Sequence, residues 1–125
     1  MIVLDASALL AFLQREPGAE VVADVLCMSC LSTVNLAEVL GRFERRGADM
    51  PGLAQHLVRV GVELVPFRVA DAERAAALLP DTRPWGLSLG DRACVALALA
   101  RDWPVITADQ AWRHLPLGLD VRLIR

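Results

Sequence analysis

Four carboxylates, Asp5, Glu38, Asp91 and Asp109, each stand close to the point where a short apolar segment gives way to a helical pattern. The segments are MIVLDAS, STVNLAEVL, LSLGDRACVALA and VITADQAW. An acid beside a strongly apolar run needs a reason, because an unpaired buried charge loses its hydration. Gathered at one edge of a sheet, the four would repel one another unless a divalent cation sat among them. A donor set made only of oxygens, with no histidine or cysteine beside it, suits a hard ion such as Mg²⁺ or Mn²⁺. The chemistry of such a cluster is metal-assisted hydrolysis.

Each acid also has a plain reading of its own. Asp5 and Asp109 can cap helices. Ser88 and Asp91 have the spacing of a capping box. Glu38 lies off the core stripe of Leu36, Val39, Leu40 and Phe43, with Arg42 one turn on as an ion-pair partner. Asp91 departs furthest from its plain reading. It opens a helix that is apolar on nearly every side from Ala93 to Ala100, and a helix of that kind is buried. Asp91 is therefore expected at the mouth of the core. The coincidence of all four at one expected edge outweighs the separate readings.

The elements that must position them follow from periodicity and punctuation. Strands are expected at Met1–Leu4, Cys27–Leu31, Val62–Val65, Pro104–Thr107 and Val121–Ile124. Helices are expected at Ala6–Gln14, Ala19–Leu26, from Ser32 or Thr33 to Arg46, Pro51–Val60, Ala70–Leu79, Ser88–Arg101 and Gln110–Leu115, with a loop over Pro80–Gly86. Strands that alternate with helices, and are too apolar to alternate themselves, indicate a mainly parallel sheet covered on both faces. The expectation is a three-layer α/β/α fold in one domain spanning residues 1–125. Sites in such folds lie beyond the carboxyl ends of the strands, where these acids fall.

Composition narrows the setting. Hydrophobic residues make up 55% of the 125 residues, and the mean hydropathy is +0.43. The longest apolar run, Ala93 to Ala100, is far short of the ~20 residues that span a bilayer. Asp5 interrupts the start and no basic residue precedes it, so neither a secretory leader nor a membrane anchor is expected, and a cytoplasmic location is. Surplus apolar surface is expected to be covered by a partner or a second copy. A net charge of −2 supplies no basic field, yet all 13 basic residues are arginine and lysine is absent. Cys27 and Cys30 have half the spacing of a zinc site, but no second pair accompanies them, and Cys27, Cys30 and Cys94 read as packing residues.

The four segments, in their order and spacing from Met1 to Leu115, resemble the motifs of PIN-domain ribonucleases, and among these most resemble VapC toxins of bacterial toxin–antitoxin pairs. LSLGDRACVALA is the most specific of them. The resemblance implies that Asp5, Glu38, Asp91 and Asp109 form an acidic quartet. It also implies that Thr107 is the hydroxyl accompanying the fourth acid. One or two Mg²⁺ or Mn²⁺ ions would be held chiefly by Asp5 and Asp91, with Asp109 and Glu38 as further ligands or acting through water. Ser7 and Thr107 are the supporting donors. A cognate antitoxin, a homodimer and contact with DNA only through the antitoxin are implied as well.

An RNA substrate would need cations near these acids. Arg42, Arg45 and Arg46 fall on one helix face and suit backbone phosphates, while Arg83 and Trp85 suit an unpaired base. The missing lysine argues against a receiver domain, and Ser7, where a second Asp is expected, against a haloacid-dehalogenase-like phosphatase. Two rivals remain within the fold: a housekeeping nuclease of RNA processing, and a binding module without catalysis.

Overall fold

In the computed structural model, which describes residues 1–125, five short strands form one sheet. They are β1 (Ile2–Leu4), β2 (Ser29–Ser32), β3 (Glu63–Val65), β4 (Val105–Thr107) and β5 (Val121–Leu123). All pair in parallel, in the order β3-β2-β1-β4-β5. Parallel neighbours cannot be joined by hairpins; a 3₁₀ turn at Gln110–His114 links β4 to β5, and helices carry the other connections. These are α1 (Ala6–Leu13), α2 (Ala19–Val25), α3 (Thr33–Arg45), α4 (Leu53–Arg59), α5 (Val69–Ala77), α6 (Leu79–Thr82) and α7 (Leu89–Arg101).

Both sheet faces are buried, which is why the strands read as unbroken apolar runs. Ile2, Leu4, Leu31 and Ile106 face a core shared with α1, α2, α3 and α4. Val3, Cys30 and Val105 face the other, with Cys94, Val95, Leu97 and Ala98 of α7 and the fully buried Trp112. Helix α7 packs on β1, β2 and β4 and also touches α3 and α5, so no side of it is left polar. The chain thus adopts the three-layer α/β/α arrangement expected from its sequence. No helix is long and apolar enough to cross a membrane.

Several segment boundaries differ from expectation, and the short helix expected at Gln110–Leu115 is a 3₁₀ turn at Gln110–His114. The stretch read as a loop over Pro80–Gly86 is largely helical: α6 runs into a 3₁₀ turn at Arg83–Trp85. Pro80 and Pro84 both sit at the start of a turn, where a missing N–H costs nothing. Thr82 Oγ1 donates to Leu78 O at 2.7 Å and closes the junction. The second strand starts later than expected, because Leu26–Met28 is a 3₁₀ turn. Cys27 is therefore exposed and packs no core, whereas Cys30 and Cys94 are buried. Helix α4 begins at Leu53 because Gly52 ahead of it is left-handed, φ +73°.

Candidate active site

The strand order reverses direction at β1 and β4: the chain leaves β1 toward β2 and β3 on one side, and places β4 and β5 on the other. The crevice beyond the carboxyl ends of two such strands is where open parallel sheets bind ligands. Asp5 is the first residue past β1 and Asp109 the second past β4. Leu4 pairs with Ile106, so the register sets Asp5 beside Thr107.

Asp5 is buried, 3% exposed. It occupies the N-cap position of α1, but its side chain makes no capping bond, so capping does not account for it. Its Oδ2 instead accepts from Ser7 Oγ at 2.6 Å and from Thr107 Oγ1 at 2.8 Å. Each hydroxyl has one proton, so both are committed to Asp5, and the 3.2 Å approach of Ser7 to Thr107 is a contact between them. Ser7 Oγ accepts in turn from Ala108 N, and Thr107 Oγ1 from Asp109 N, each at 3.0 Å. Burial, with the charges of Asp91 and Glu38 adding to it, pushes the Asp5 carboxyl up to about 6 despite the two hydroxyls that pull it down.

The other three acids reach the same place from separate elements. Glu38 projects from α3, where Asn35 Nδ2 donates to its Oε2 at 2.9 Å. Burial raises its pKa, the Asn35 bond opposes this, and the Asp91 charge adds to it. Asp91 lies in the first turn of α7 and forms the expected capping box: its Oδ2 accepts from Ser88 N at 2.9 Å, while its own N donates to Ser88 Oγ at 3.1 Å. Asp109 is exposed and caps the 3₁₀ turn Gln110–His114, its Oδ1 accepting from Ala111 N at 3.0 Å. Capping therefore occurs at two of the four acids, without explaining why they converge.

They converge on one cleft of about 240 Å³, lined by Asp5, Glu38, Asp91, Asp109, Ser7, Arg42 and Arg45 together with Ala6 and Leu10. Four carboxylates against two guanidiniums leave a formal excess of two negative charges. None of the protein's ion pairs involves them, since those use Arg74, Arg101, Arg122 and Arg125. Glu38 is accordingly half-buried and bonded to Asn35, not paired with Arg42. The donor chemistry and the uncancelled charge fit a hard divalent cation. No three acidic, histidine or cysteine side chains are gathered closely enough to share one ion. Glu38, Asp91 and Asp109 each have one oxygen engaged locally.

The expected RNA contacts divide. Arg42 and Arg45 line the cleft with the acids, and Arg46, the C-cap of α3, does not. Arg83 and Trp85 are exposed outside the cleft lining. The Trp85 ring, 39% exposed, stacks on His114 with centroids 5.7 Å apart and planes at 19°. Asn35 and Gly90 escaped the sequence reading although both touch Glu38. Their signals were present: a lone amide in the apolar start of a helix, and a glycine inside a helical pattern.

The PIN domain family model matches residues 2–117. Solved structures of similar fold include a toxin–antitoxin complex from Klebsiella pneumoniae, with a TM-score of 0.74 and 16% identity over 100% of this chain and 98% of that one. DNA-bound VapBC from Salmonella typhimurium has a TM-score of 0.74 and 15% identity, covering 99% and 98%. FitAcB from Neisseria gonorrhoeae has a TM-score of 0.71 and 20% identity, covering 99% and 98%. No curated protein sequence matches the chain. With nearly its whole length accounted for by the family model, the chain belongs to the PIN domain family.

Proposed function

We propose that this chain is the VapC-type toxin of a toxin–antitoxin pair and hydrolyses RNA with Mg²⁺ or Mn²⁺. The observation that carries the reading is the convergence of four carboxylates and two arginines on one cleft at the switch point of a PIN domain. The similar structures include a toxin–antitoxin complex and a DNA-bound VapBC, which supports an antitoxin partner and an indirect contact with DNA.

Asp5 and Asp91 would hold the ion, with Asp109 and Glu38 as further ligands or acting through water. A bound divalent ion supplies Lewis acidity at the scissile phosphate and lowers the pKa of a water beside it. Ser7 and Thr107 hold the Asp5 carboxylate in one orientation. Glu38 is the better base of the two acids not assigned chiefly to the ion. Burial raises its pKa toward the working range, and Asn35 engages only Oε2, leaving Oε1 for the proton of the attacking water. Arg42 and Arg45 take the phosphates flanking the cut. Arg83 and Trp85 would serve bases outside the cleft.

Activity should vanish in excess chelator and return with Mg²⁺ or Mn²⁺ but not Zn²⁺, which an all-oxygen site does not favour. Robust RNA cleavage in chelator would sink the mechanism. The arginines give a second test. Arg42→Ala and Arg45→Ala should each raise KM several-fold and flatten the salt dependence of binding by about 0.7 in log–log slope per lost phosphate contact. Arg46→Ala should leave both nearly unchanged. Equal effects at all three positions would mean a diffuse basic face. An apolar groove between α5 and α7, lined by Ala77, Leu78, Ala96, Leu99 and Ala100, offers a second copy a place to dock. A monomer at high concentration, purified from its native operon without a partner, would count against the toxin reading.

A further inference from the structure

Two residues around Glu38 are poor choices for stability alone. Gly90 is in the first turn of α7 with an ordinary right-handed backbone, so no left-handed φ requires glycine there. Alanine is the better helix former, yet a Cβ at this position would lie 1.9 Å from Glu38 Oε1, 2.3 Å from its Cδ and 2.6 Å from Oε2. Asn35 is completely buried. Its Nδ2 donates both to Glu38 Oε2 at 2.9 Å and to Gly90 O at 3.0 Å, while its Oδ1 has no partner. Flipping the amide would set that oxygen against a carboxylate and a carbonyl, so the donors must face this way. A buried acceptor left unbonded is costly. Both unfavourable choices meet at one carboxylate, and departures of that kind collect at functional sites.

We propose that Asn35 and Gly90 are positioning residues that seat the Glu38 carboxylate against the first turn of α7, Gly90 by leaving room and Asn35 by holding one oxygen. The inference rests on the reading of Glu38 as the residue that handles the attacking water. The helices α3 and α7 are brought into contact by the core, and the seat exists only at their junction.

Gly90→Ala tests it, because the atoms displaced are the far end of a flexible side chain and the backbone need not move. In chelator this variant should melt at or above the wild-type temperature. Its crystal structure should show the Glu38 carboxylate off Asn35. With Mg²⁺, single-turnover RNA cleavage should slow about 100-fold, of the order seen on removing one positioned catalytic donor, with KM within about threefold of wild type if binding and chemistry separate. Combined with Glu38→Gln it should add no further loss, as expected for a residue acting only through its neighbour. Asn35→Leu keeps the branched heavy-atom outline, with somewhat more bulk and no donors, and serves if Gly90→Ala folds poorly; it should free the same carboxylate. A Glu38 carboxylate still bonded to Asn35 in Gly90→Ala would overturn the proposal. So would a displaced carboxylate with wild-type cleavage, or losses that add in the double variant. If the wild type cleaves no RNA at all, the nuclease reading fails, and the position of the carboxylate still decides the seat.

Discussion

Asp5→Asn should abolish cleavage while making the metal-free protein more stable than the wild type. The Asp5 carboxyl is held near 6 in the folded chain against 3.8 for an exposed aspartate. Burial disfavours its charged form, so folding costs more once the group is ionised. A shift of that size corresponds to about 3 kcal/mol at neutral pH. The sign follows from linkage: below pH ~4 the group is protonated in both states and the cost is absent. As pH rises through the folded pKa near 6 that relative stability is lost, and above it the deficit is constant.

Asparagine keeps an oxygen for the Ser7 and Thr107 hydroxyls and removes the charge. Part of the gain is lost in burying an amide NH₂ with no assigned acceptor, leaving roughly 1–2 kcal/mol. Melting in chelator from pH 4 to 8 should show the wild type losing stability between about pH 4 and 6 and levelling above that, and the variant losing less over the same interval. At pH 7 the variant should melt several degrees higher. Added Mg²⁺ should raise the melting temperature of the wild type and not that of the variant. Cleavage should fall at least ~100-fold. An active variant, or one that melts lower than wild type in chelator, would refute the role given to Asp5.

The second large effect is expected at Asp91, where capping and metal binding make opposite forecasts. Asp91 Oδ2 does cap Ser88 N in this structure, so the plain reading is geometrically real. Asparagine supplies the same acceptor and caps about as well. Removing the charge from the first turn of α7 costs about 0.3–1 kcal/mol against the helix dipole. The removal also takes a like charge away from Asp5 and Glu38, whose pKa values Asp91 raises. These contributions oppose each other, so metal-free Asp91→Asn should stay within about 1 kcal/mol of wild type. Mg²⁺ affinity and cleavage should nonetheless drop by ~100-fold or more, because a neutral amide replaces an anionic ligand. Retained activity would reduce Asp91 to a cap. Activity lost only because the apo fold melts would do the same.

The contrast between these two acids indicates what was legible beforehand. Capping at Asp91 and Asp109 was readable because a cap is a bond over two or three residues, and local spacing reports it. The absence of a cap at Asp5 was not. Its carboxylate turns to Thr107, 102 residues away, and only the pairing of β1 with β4 brings that hydroxyl within reach. Taken alone, Glu38 had a plain reading as the ion-pair partner of Arg42, since a helix surface favours residues four apart. It instead takes Asn35 and packs on Gly90. Cys27 was misplaced for a similar reason: an apolar run shows where chain can be buried, not where the first strand bond forms.

From its sequence alone the chain determined its element types, the two covered faces of a parallel sheet, and the kind of chemistry four acids near strand ends can perform. Each of these rests on periodicity or local spacing, which survives without knowledge of any long-range contact. The tertiary structure decided which oxygens are free, which arginines share the cleft, and which side chains hold Glu38. Those depend on strand register and on how α3 docks against α7. A shift of one residue in register, or of one turn at the helix junction, would keep the sequence pattern and destroy the site.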